Sequence, residues 1–347
     1  MCYQRSFEQK LRVGAVGVGS HCYRNILPTL TYLPIELVAI ADPRVDVAEK
    51  TTRQYGARAA YSSALKMYES EELDAVILAV SARQHPVLSL EAFACGLHVW
   101  MEKPPAVSVV DIDEMIRARG DLIAVVGYKK IFMPATVKAL ELMAMDAMQP
   151  LRTISGLYPV GLPPAGASVD GPTSLQTQWL DNGCHPVSLL LTLAGHAAAI
   201  SVHYGPEGSG FLVIRHRNGA VSSLQLATGG PTFQPIERYI VLGGRGSVEI
   251  VNTRKVIYQR GIDFDYGTGT SFANPGVGSG AVVWEAQDSF NTLENKAVVT
   301  QGLYGSLKHF TDCVLNHAPV ERGSLEFARE VTGIYEDALK AQTVNLK

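Results

Sequence analysis

The sequence contains no run of about 18 consecutive apolar residues, the length that a membrane-spanning helix requires. Its first ten residues are mostly polar and include no apolar signal segment. The formal net charge of −3 offers no excess of positive charge for a nucleic acid to bind. We therefore expect a cytoplasmic protein with a small-molecule substrate and with neither a membrane nor a nucleic acid as its partner.

Cysteine is scarce, and no two cysteines form a Cys-x-x-Cys pair. An odd number of scattered cysteines indicates reduced structural thiols rather than a disulfide framework. The five positions are Cys2, Cys22, Cys95, Cys184 and Cys313. The chain has 347 residues, of which 47% are hydrophobic, so it is long enough for two domains with sizeable cores.

A glycine turn stands between the first predicted strand, residues 11–18, and a predicted helix at residues 25–33. Gly17, Gly19 and Cys22 have the Gly-x-Gly-x-x-small spacing. The first glycine permits a tight turn, the second lets the backbone approach a pyrophosphate, and the small third residue lets helix and strand pack closely. Because glycines also occur at turns for steric reasons, this motif alone is weak evidence for a dinucleotide site.

Asp42 strengthens the dinucleotide interpretation, since it ends the apolar strand 36–41 and follows Gly19 by 23 residues. A carboxylate there can accept hydrogen bonds from the adenosine ribose and repels a 2′-phosphate. An Asp that opens a turn at Pro43 is the alternative. Arg44 could accept a 2′-phosphate, so the pattern favours NAD while leaving NADP possible.

Apolar strands are predicted at residues 74–80, 97–101 and 122–126, alternating with helical segments. This alternation predicts an α/β domain with a doubly wound parallel sheet, a Rossmann fold, over residues 1–126. The strand at 97–101 leads into Glu102 and Lys103, and two prolines then end it. A lysine at the carboxyl end of such a strand lies where open α/β sheets bind ligands, although an exposed lysine in a proline turn is the alternative.

Residues 127–347 predict a second domain of the α+β class with a large, mainly antiparallel open sheet. Its strands lie between residues 151 and 260, and Asn218-Gly219 is a strong hairpin signal. The other predicted segments are loops at 160–172 and 261–280 and helices at 298–315 and 325–341.

Asp181 and His185 lie four residues apart at the start of a predicted helix and should share one face. A carboxylate in that position can orient the imidazole and tune it as a general base. An ordinary acidic residue beside an ordinary histidine is the alternative. Metal binding is not expected, because no third or fourth ligand stands out nearby.

This combination resembles the glucose–fructose oxidoreductase, inositol dehydrogenase and MocA family. The resemblance spans nearly the whole chain, from the glycine turn to residues 309–319. The segments that carry it are Gly17-Val18-Gly19, Asp42, the Glu102-Lys103-Pro104 signature, Gly127-Tyr128-Lys129-Lys130 and Asp181-Asn182-Gly183-Cys184-His185.

The resemblance implies an NAD(P)-dependent dehydrogenase or reductase that transfers a hydride between nicotinamide and a secondary alcohol or ketone of a sugar, sugar derivative or cyclitol. It implies Lys103, Asp181 and His185 as catalytic residues. The expected substrate-binding residues are Lys103, Lys129, Lys130, Asp181 and His185. The expected cofactor-binding residues are Gly17, Gly19, Ser20, His21, Asp42, Arg44, Ala79, Ser81, His85, Glu102 and Lys103.

Two positions depart from the pattern of many family members. Lys129 stands where asparagine is common in the family. Arg83, in the loop before His85, also stands at a position where asparagine is frequent. Both are expected on the cofactor or substrate side, which indicates an unusual or anionic substrate. The second domain is expected to carry substrate binding and to form a homodimer or homotetramer. Two other functions stay open: a glycosidase or epimerase that works through tightly bound NAD, and a non-enzymatic nicotinamide-binding regulator.

Overall fold

The computed structural model describes residues 6–167, 174–226, 230, 235–261, 280–287 and 297–340. The chain divides into two compact units, each built from two stretches of sequence. Residues 1–132 and 301–333 form the first unit, and residues 133–300 and 334–347 form the second. The division expected after residue 126 had assigned the whole C-terminal region to the second domain, whereas residues 301–333 belong to the first unit.

The first unit contains a parallel sheet of six strands in the order β3-β2-β1-β4-β5-β6. Its apolar runs are buried on both faces, as parallel strands covered by helices require. The strands are β1 Leu11–Val16, β2 Ile35–Ala41, β3 Ala59–Tyr61, β4 Ala75–Leu78, β5 His98–Glu102 and β6 Ala124–Gly127. The predicted Rossmann sheet is confirmed, and β3 is a strand that the sequence pattern did not reveal.

Helices connect these strands. A π-helical turn at Cys22–Ile26 precedes α1 Leu27–Leu30. The other helices up to β6 are α2 Val45–Tyr55, α3 Ala64–Ser70, α4 His85–Ala94 and α5 Val109–Arg119. A short 3-10 turn, Lys129–Phe132, follows β6.

The second unit contains a sheet of eight strands in the order β14-β13-β12-β11-β7-β10-β9-β8. Its strand pairs are antiparallel except for β7 with β10, which confirms the predicted mainly antiparallel sheet. The expected hairpin at Asn218-Gly219 joins β9 to β10. The strands are β7 Leu151–Tyr158, β8 Ala197–Tyr204, β9 Gly210–His216, β10 Val221–Leu226, β11 Arg238–Gly243, β12 Gly246–Val251, β13 Lys255–Gln259 and β14 Ala281–Glu285.

Helices cover one face of this second sheet. α6 Pro134–Met143 packs on β12 and β13, and α8 Cys184–Ala194 packs on β7 and β10. Two short helices, α7 Ser174–Gln178 and α9 Ala297–Thr300, complete this part of the unit. Strand residues on the opposite face alternate with the buried ones and are largely exposed, for example Ile240 and Leu242.

The C-terminal helices differ from the prediction in one respect. A single helix was expected at residues 298–315, but α9 ends at Thr300 and α10 Leu303–Leu315 begins after Gly302. Gly302 has a φ of 82°, a left-handed conformation that glycine adopts without a steric penalty and that interrupts a helix. α11 Leu325–Lys340 follows, and α10 contributes Leu307 and Phe310 to the core of the first unit.

The loops predicted at residues 160–172 and 261–280 fall partly outside the described residues, which exclude 168–173 and 262–279. Among the residues that the structure describes, none of the helices is long and apolar enough to cross a membrane.

Candidate active site

The glycine turn is built as its sequence predicts. Gly17 has a φ of 80°, and a Cβ added there would lie 2.6 Å from the carbonyl oxygen of Ala79, so this position excludes a side chain. Around Gly19 a Cβ would meet no atom within 4 Å, which leaves open space beside an exposed stretch of backbone. The chain then enters the helical segment that leads to α1. This arrangement leaves room for a pyrophosphate at the start of a helix.

Cys22 provides the small third position of the motif and is buried. Burial raises the pKa of its thiol to about 12, and the nearby carboxylates of Glu102 and Asp42 act in the same direction. The thiol is therefore neutral at physiological pH, and its function here is close packing rather than nucleophilic chemistry.

Asp42 connects the end of β2 to the glycine turn. Its Oδ2 accepts the backbone N–H of Val18 at 3.0 Å, and its Oδ1 accepts the backbone N–H of Arg44 at 3.0 Å and Arg44 Nε at 3.2 Å. Burial acts to raise the pKa of this carboxyl, but the hydrogen bonds from Arg44 and Val18 and the charge of Arg44 outweigh it, so the pKa is lowered. Asp42 thus holds the shape of the turn in addition to the ribose contact expected from the sequence.

Glu102, the last residue of β5, links the glycine motif to Lys103. Its Oε1 lies 3.1 Å from His21 Nε2, and its Oε2 accepts the backbone N–H of Lys103 at 3.1 Å. His21 Nδ1 in turn lies 3.2 Å from Asn25 Nδ2. The Glu102 side chain is 10% exposed and that of His21 is 46% exposed. One buried carboxylate therefore joins the start of the first helix to the residue expected to be catalytic.

His85 is fully buried at the start of α4, and its Nδ1 lies 2.9 Å from the carbonyl oxygen of Pro104. Burial lowers the pKa of this histidine, so the neutral imidazole is favoured and Nδ1–H donates to that carbonyl. The sequence placed His85 among residues that contact the cofactor. Its geometry instead suits a positioning role, since it fixes the segment that follows Lys103.

A contact that the sequence did not reveal also holds β5. Trp100 Nε1 donates to Ser306 Oγ of α10 at 3.0 Å, and both side chains are fully buried. The partners are 206 positions apart in the sequence, so no local pattern could identify the pair. Burial of a side chain as large as Trp100 contributes about 1.5–3 kcal/mol or more, which makes the strand that carries Lys103 a rigid support.

The remaining expected residues of the first unit lie in the connections after β1, β4, β5 and β6. Ser20 and Ser81 are exposed, and the Ser81 carbonyl accepts the N–H groups of Gln84 and His85. Ala79, Lys103 and Lys129 are half-buried, Arg83 is exposed, and Lys130 is buried with 7% exposure. The first unit therefore brings the expected cofactor residues to the carboxyl edge of one sheet.

Asp181 and His185 belong to the second unit. Asp181 lies in a π-helical turn, Trp179–Gly183, which continues directly into α8, and His185 lies on the first turn of α8. His185 is buried, with 6% exposure, whereas Asp181 is half-buried. Residues four apart in this wide turn lie on roughly one side of the helix, and the pairing of the Asp181 carboxylate with the His185 imidazole stays a prediction.

The π-helical turn is fixed by Gly183 and Trp179. A Cβ added to Gly183 would lie 2.2 Å from a ring carbon of Trp179, whose side chain is buried. The other end of α8 is held by His216, which lies 2.7 Å from the carbonyl oxygen of Gly195 and 2.7 Å from Ser222 Oγ. Neither support could be identified from the sequence, because each depends on side chains meeting in the folded unit.

The described residues contain no group of three or more His, Cys, Asp or Glu side chains that could hold a metal ion. The residues of the glycine turn do fit a dinucleotide: Gly17 excludes a side chain, Gly19 leaves open space, and Asp42 lies at the end of the neighbouring strand.

Comparison with known proteins supports this assignment. Residues 11–128 match the model of the GFO_IDH_MocA family, described as an oxidoreductase family with an NAD-binding Rossmann fold. Myo-inositol 2-dehydrogenase of Thermotoga maritima is 27% identical over 124 residues, which cover 35% of this chain and 37% of the relative. The match thus spans little more than a third of that protein.

Solved structures resemble nearly the whole chain. A dehydrogenase from Chromobacterium violaceum has a TM-score of 0.80 and 21% identity, covering 95% of this chain and 94% of that one. A levoglucosan dehydrogenase in complex with NADH and levoglucosan has a TM-score of 0.75 and 17% identity, covering 95% and 96%. At these identities the likeness concerns the fold alone. Residues 11–128 therefore match the NAD-binding Rossmann fold of the GFO_IDH_MocA oxidoreductases.

Proposed function

We propose that this protein transfers a hydride between NAD and a secondary alcohol or ketone of a sugar, a sugar derivative or a cyclitol. The observation that carries the proposal is the contact of Glu102 with both His21 and the backbone of Lys103. It holds the backbone of Lys103 at the carboxyl edge of the sheet, the edge at which open α/β sheets bind their ligands.

When bound, NAD supplies the acceptor for the hydride that leaves the carbinol carbon. The chain's own residues then have three roles. His185 takes the hydroxyl proton, and Asp181 orients its imidazole. Lys103 donates a hydrogen bond to the developing alkoxide, a positioned charge that is worth several kcal/mol in such sites. In the reverse direction the same residues return the proton to the alkoxide.

The experiment measures NADH formation by the purified protein with a panel of sugars, cyclitols and their carboxylated derivatives, and NADH consumption with the keto forms. Turnover of added NAD with at least one compound is expected. NAD that co-purifies with the protein, combined with no net turnover, would instead point to a glycosidase or epimerase that reuses its cofactor. NAD binding without any chemistry would point to a regulator.

We also propose that the protein is a homodimer or homotetramer. Among the described residues, the face of the second sheet opposite its helices exposes large apolar side chains on alternating strand positions. The register of the strand pairs places these side chains on one face. The most exposed of these on the central strands are Phe211, Val221, Ile240 and Leu242, with exposures of 37–47%. A face of this kind marks an interaction surface.

Light scattering coupled to size-exclusion chromatography tests the oligomer. Replacing Ile240 with Lys should dissociate it, because a charge would be buried without a partner. Val110→Lys is the matched control, since Val110 is 65% exposed on α5 of the first unit. A wild-type monomer, or an unchanged Ile240→Lys oligomer, would contradict this proposal.

A further inference from the structure

One half of the carboxyl edge of the first unit's sheet, at the ends of β4, β5 and β6, carries a group of positively charged side chains. β4, β5 and β6 are parallel neighbours whose ends are nearly level, because Leu78 pairs with Met101 and Glu102 pairs with Gly127. The connections that follow these three strands therefore leave the sheet side by side.

These three connections contain four cations. They are Arg83 after β4, Lys103 directly after β5, and Lys129 and Lys130 after β6. No Asp or Glu occurs in residues 79–84, 103–108 or 128–133.

The neighbouring carboxylate is already engaged. Glu102 contacts His21 and the backbone N–H of Lys103. Arg83 directly precedes the residue at the N-terminus of α4, a ten-residue helix whose end adds a partial positive charge. The N-cap residue Gln84 makes no side-chain hydrogen bond to that end. The local field at this edge therefore favours an anion.

The phosphates of NAD do not account for these cations. In this strand order the direction of winding reverses between β1 and β4, and the pyrophosphate belongs at the helix after β1. The position for a 2′-phosphate is at the end of β2, where Asp42 and Arg44 form an ion pair. Arg83 and Lys129 lie on the opposite half of the edge, the half left for the nicotinamide and the substrate.

We propose that the substrate is a polyhydroxylated anion, a sugar or cyclitol derivative that carries a carboxylate or phosphate group, and that Arg83 and Lys129 bind this group while Lys103 serves the reacting hydroxyl. This inference rests on the proposed function. Arg can bind an oxyanion through two parallel N–H donors, and Lys adds a compact charge, so the two residues together select for charge rather than for a particular sugar.

The experiment compares three compounds that share the glucose ring and differ in the group at C6: D-glucose, D-glucuronate and D-glucose 6-phosphate, with NADH formation as the first measurement. Charged groups should raise kcat/KM at least about tenfold over the neutral compound, the usual size of a charge-assisted contact. The carboxylate and phosphate arms identify which oxyanion is preferred. Calorimetric titration of each compound into the NAD-loaded protein provides a second measurement that does not depend on turnover.

Arg83→Gln and Lys129→Gln should each lower the ratio of anionic to neutral kcat/KM about tenfold, and each should weaken calorimetric binding of the preferred anion. Lys50→Gln is the matched control. It removes one exposed positive charge on α2, where Lys50 pairs with Asp46 in a surface contact, and should leave the ratio unchanged.

The outcomes separate this inference from the proposed function. Turnover of neutral and anionic compounds with equal kcat/KM would overturn the inference and leave the function intact. Absent turnover with anion binding that is lost in Lys129→Gln would support the inference and overturn the function. Anion binding that is absent, or that neither variant weakens, would overturn the inference whatever the turnover.

Discussion

His21 Nε2 lies 3.1 Å from Glu102 Oε1, and the second oxygen of the same carboxylate accepts the backbone N–H of Lys103. This relationship couples the first helix after the glycine turn to the end of β5. A substitution at His21 should therefore alter the position of the Lys103 backbone, even though the two side chains have different expected roles.

Replacing His21 with Phe removes the partner of a buried carboxylate. We expect kcat to fall about three- to tenfold, less than a fully buried charged hydrogen bond would give, because the His21 side chain is 46% exposed. His21→Gln, which can still donate to Glu102, should recover most of the loss. Tyr23→Phe is the control, since Tyr23 Oη bonds to Gln54 and not to Glu102. Equal kcat in His21→Phe and wild type would show that the contact does not position Lys103.

Asp42 variants should separate two effects of one carboxylate. Asp42→Asn keeps an oxygen that accepts the N–H of Val18 but removes the negative charge, so the preference for NAD over NADP should shrink by about tenfold or more. Asp42→Ala loses both and should also weaken NAD binding, because the glycine turn loses its anchor. Fluorescence titration with NADH and NADPH measures both effects. A wild-type protein that binds NADPH more tightly than NADH would contradict the assignment of Asp42 to the ribose.

His85 should make the protein sensitive to mild acid. Because its folded pKa lies below the unfolded value of about 6.5, its contribution to stability is complete above that pH. That contribution is lost as the pH falls through the folded pKa. We expect the free energy of unfolding to drop more between pH 8 and pH 5 in wild type than in His85→Gln, which keeps a donor for the Pro104 carbonyl. The other histidines are common to both proteins, so identical pH profiles would show that the buried His85 is not responsible.

Gly183→Ala should destabilise the helix that carries Asp181 and His185. Its Cβ would lie 2.2 Å from the Trp179 ring, and overpacking of this kind costs about 1–3 kcal/mol. Urea unfolding of Gly183→Ala and of Asn182→Ala, an exposed neighbour in the same turn, measures the difference. Equal stability of the two variants would mean that the turn relaxes without cost.

The elements that could be predicted from the sequence are those with a local signal. β5 His98–Glu102 lies within one residue of its predicted bounds, and the hairpin forms at Asn218-Gly219 as predicted, because strand alternation and turn preference are properties of short segments. The glycine turn could also be predicted from the sequence, because the exclusion of a side chain there depends on a single residue, Gly17.

What could not be predicted depends on contacts between distant residues. The return of α10 to the first unit follows from packing of Leu307 and Phe310, and the Trp100–Ser306 hydrogen bond joins positions far apart in the chain. His85 was predicted to contact the cofactor because it follows β4. The residue is buried, and its position suits support of the segment after Lys103. β3 is only three residues long, too short for a periodic signal.

The central claim is that the chain oxidises a hydroxyl group with His185 as the proton acceptor and Lys103 beside the alkoxide. The most direct test is the pH dependence of kcat for His185→Ala and Lys103→Ala, with NAD affinity measured alongside. We predict that His185→Ala lowers kcat about 100- to 10,000-fold, retains NAD affinity and loses the limb near neutral pH. Lys103→Ala should harm both turnover and binding, and Lys103→Arg should not restore them. A His185→Ala protein that keeps near-normal kcat and the same pH limb would contradict this account and make Lys103 the base.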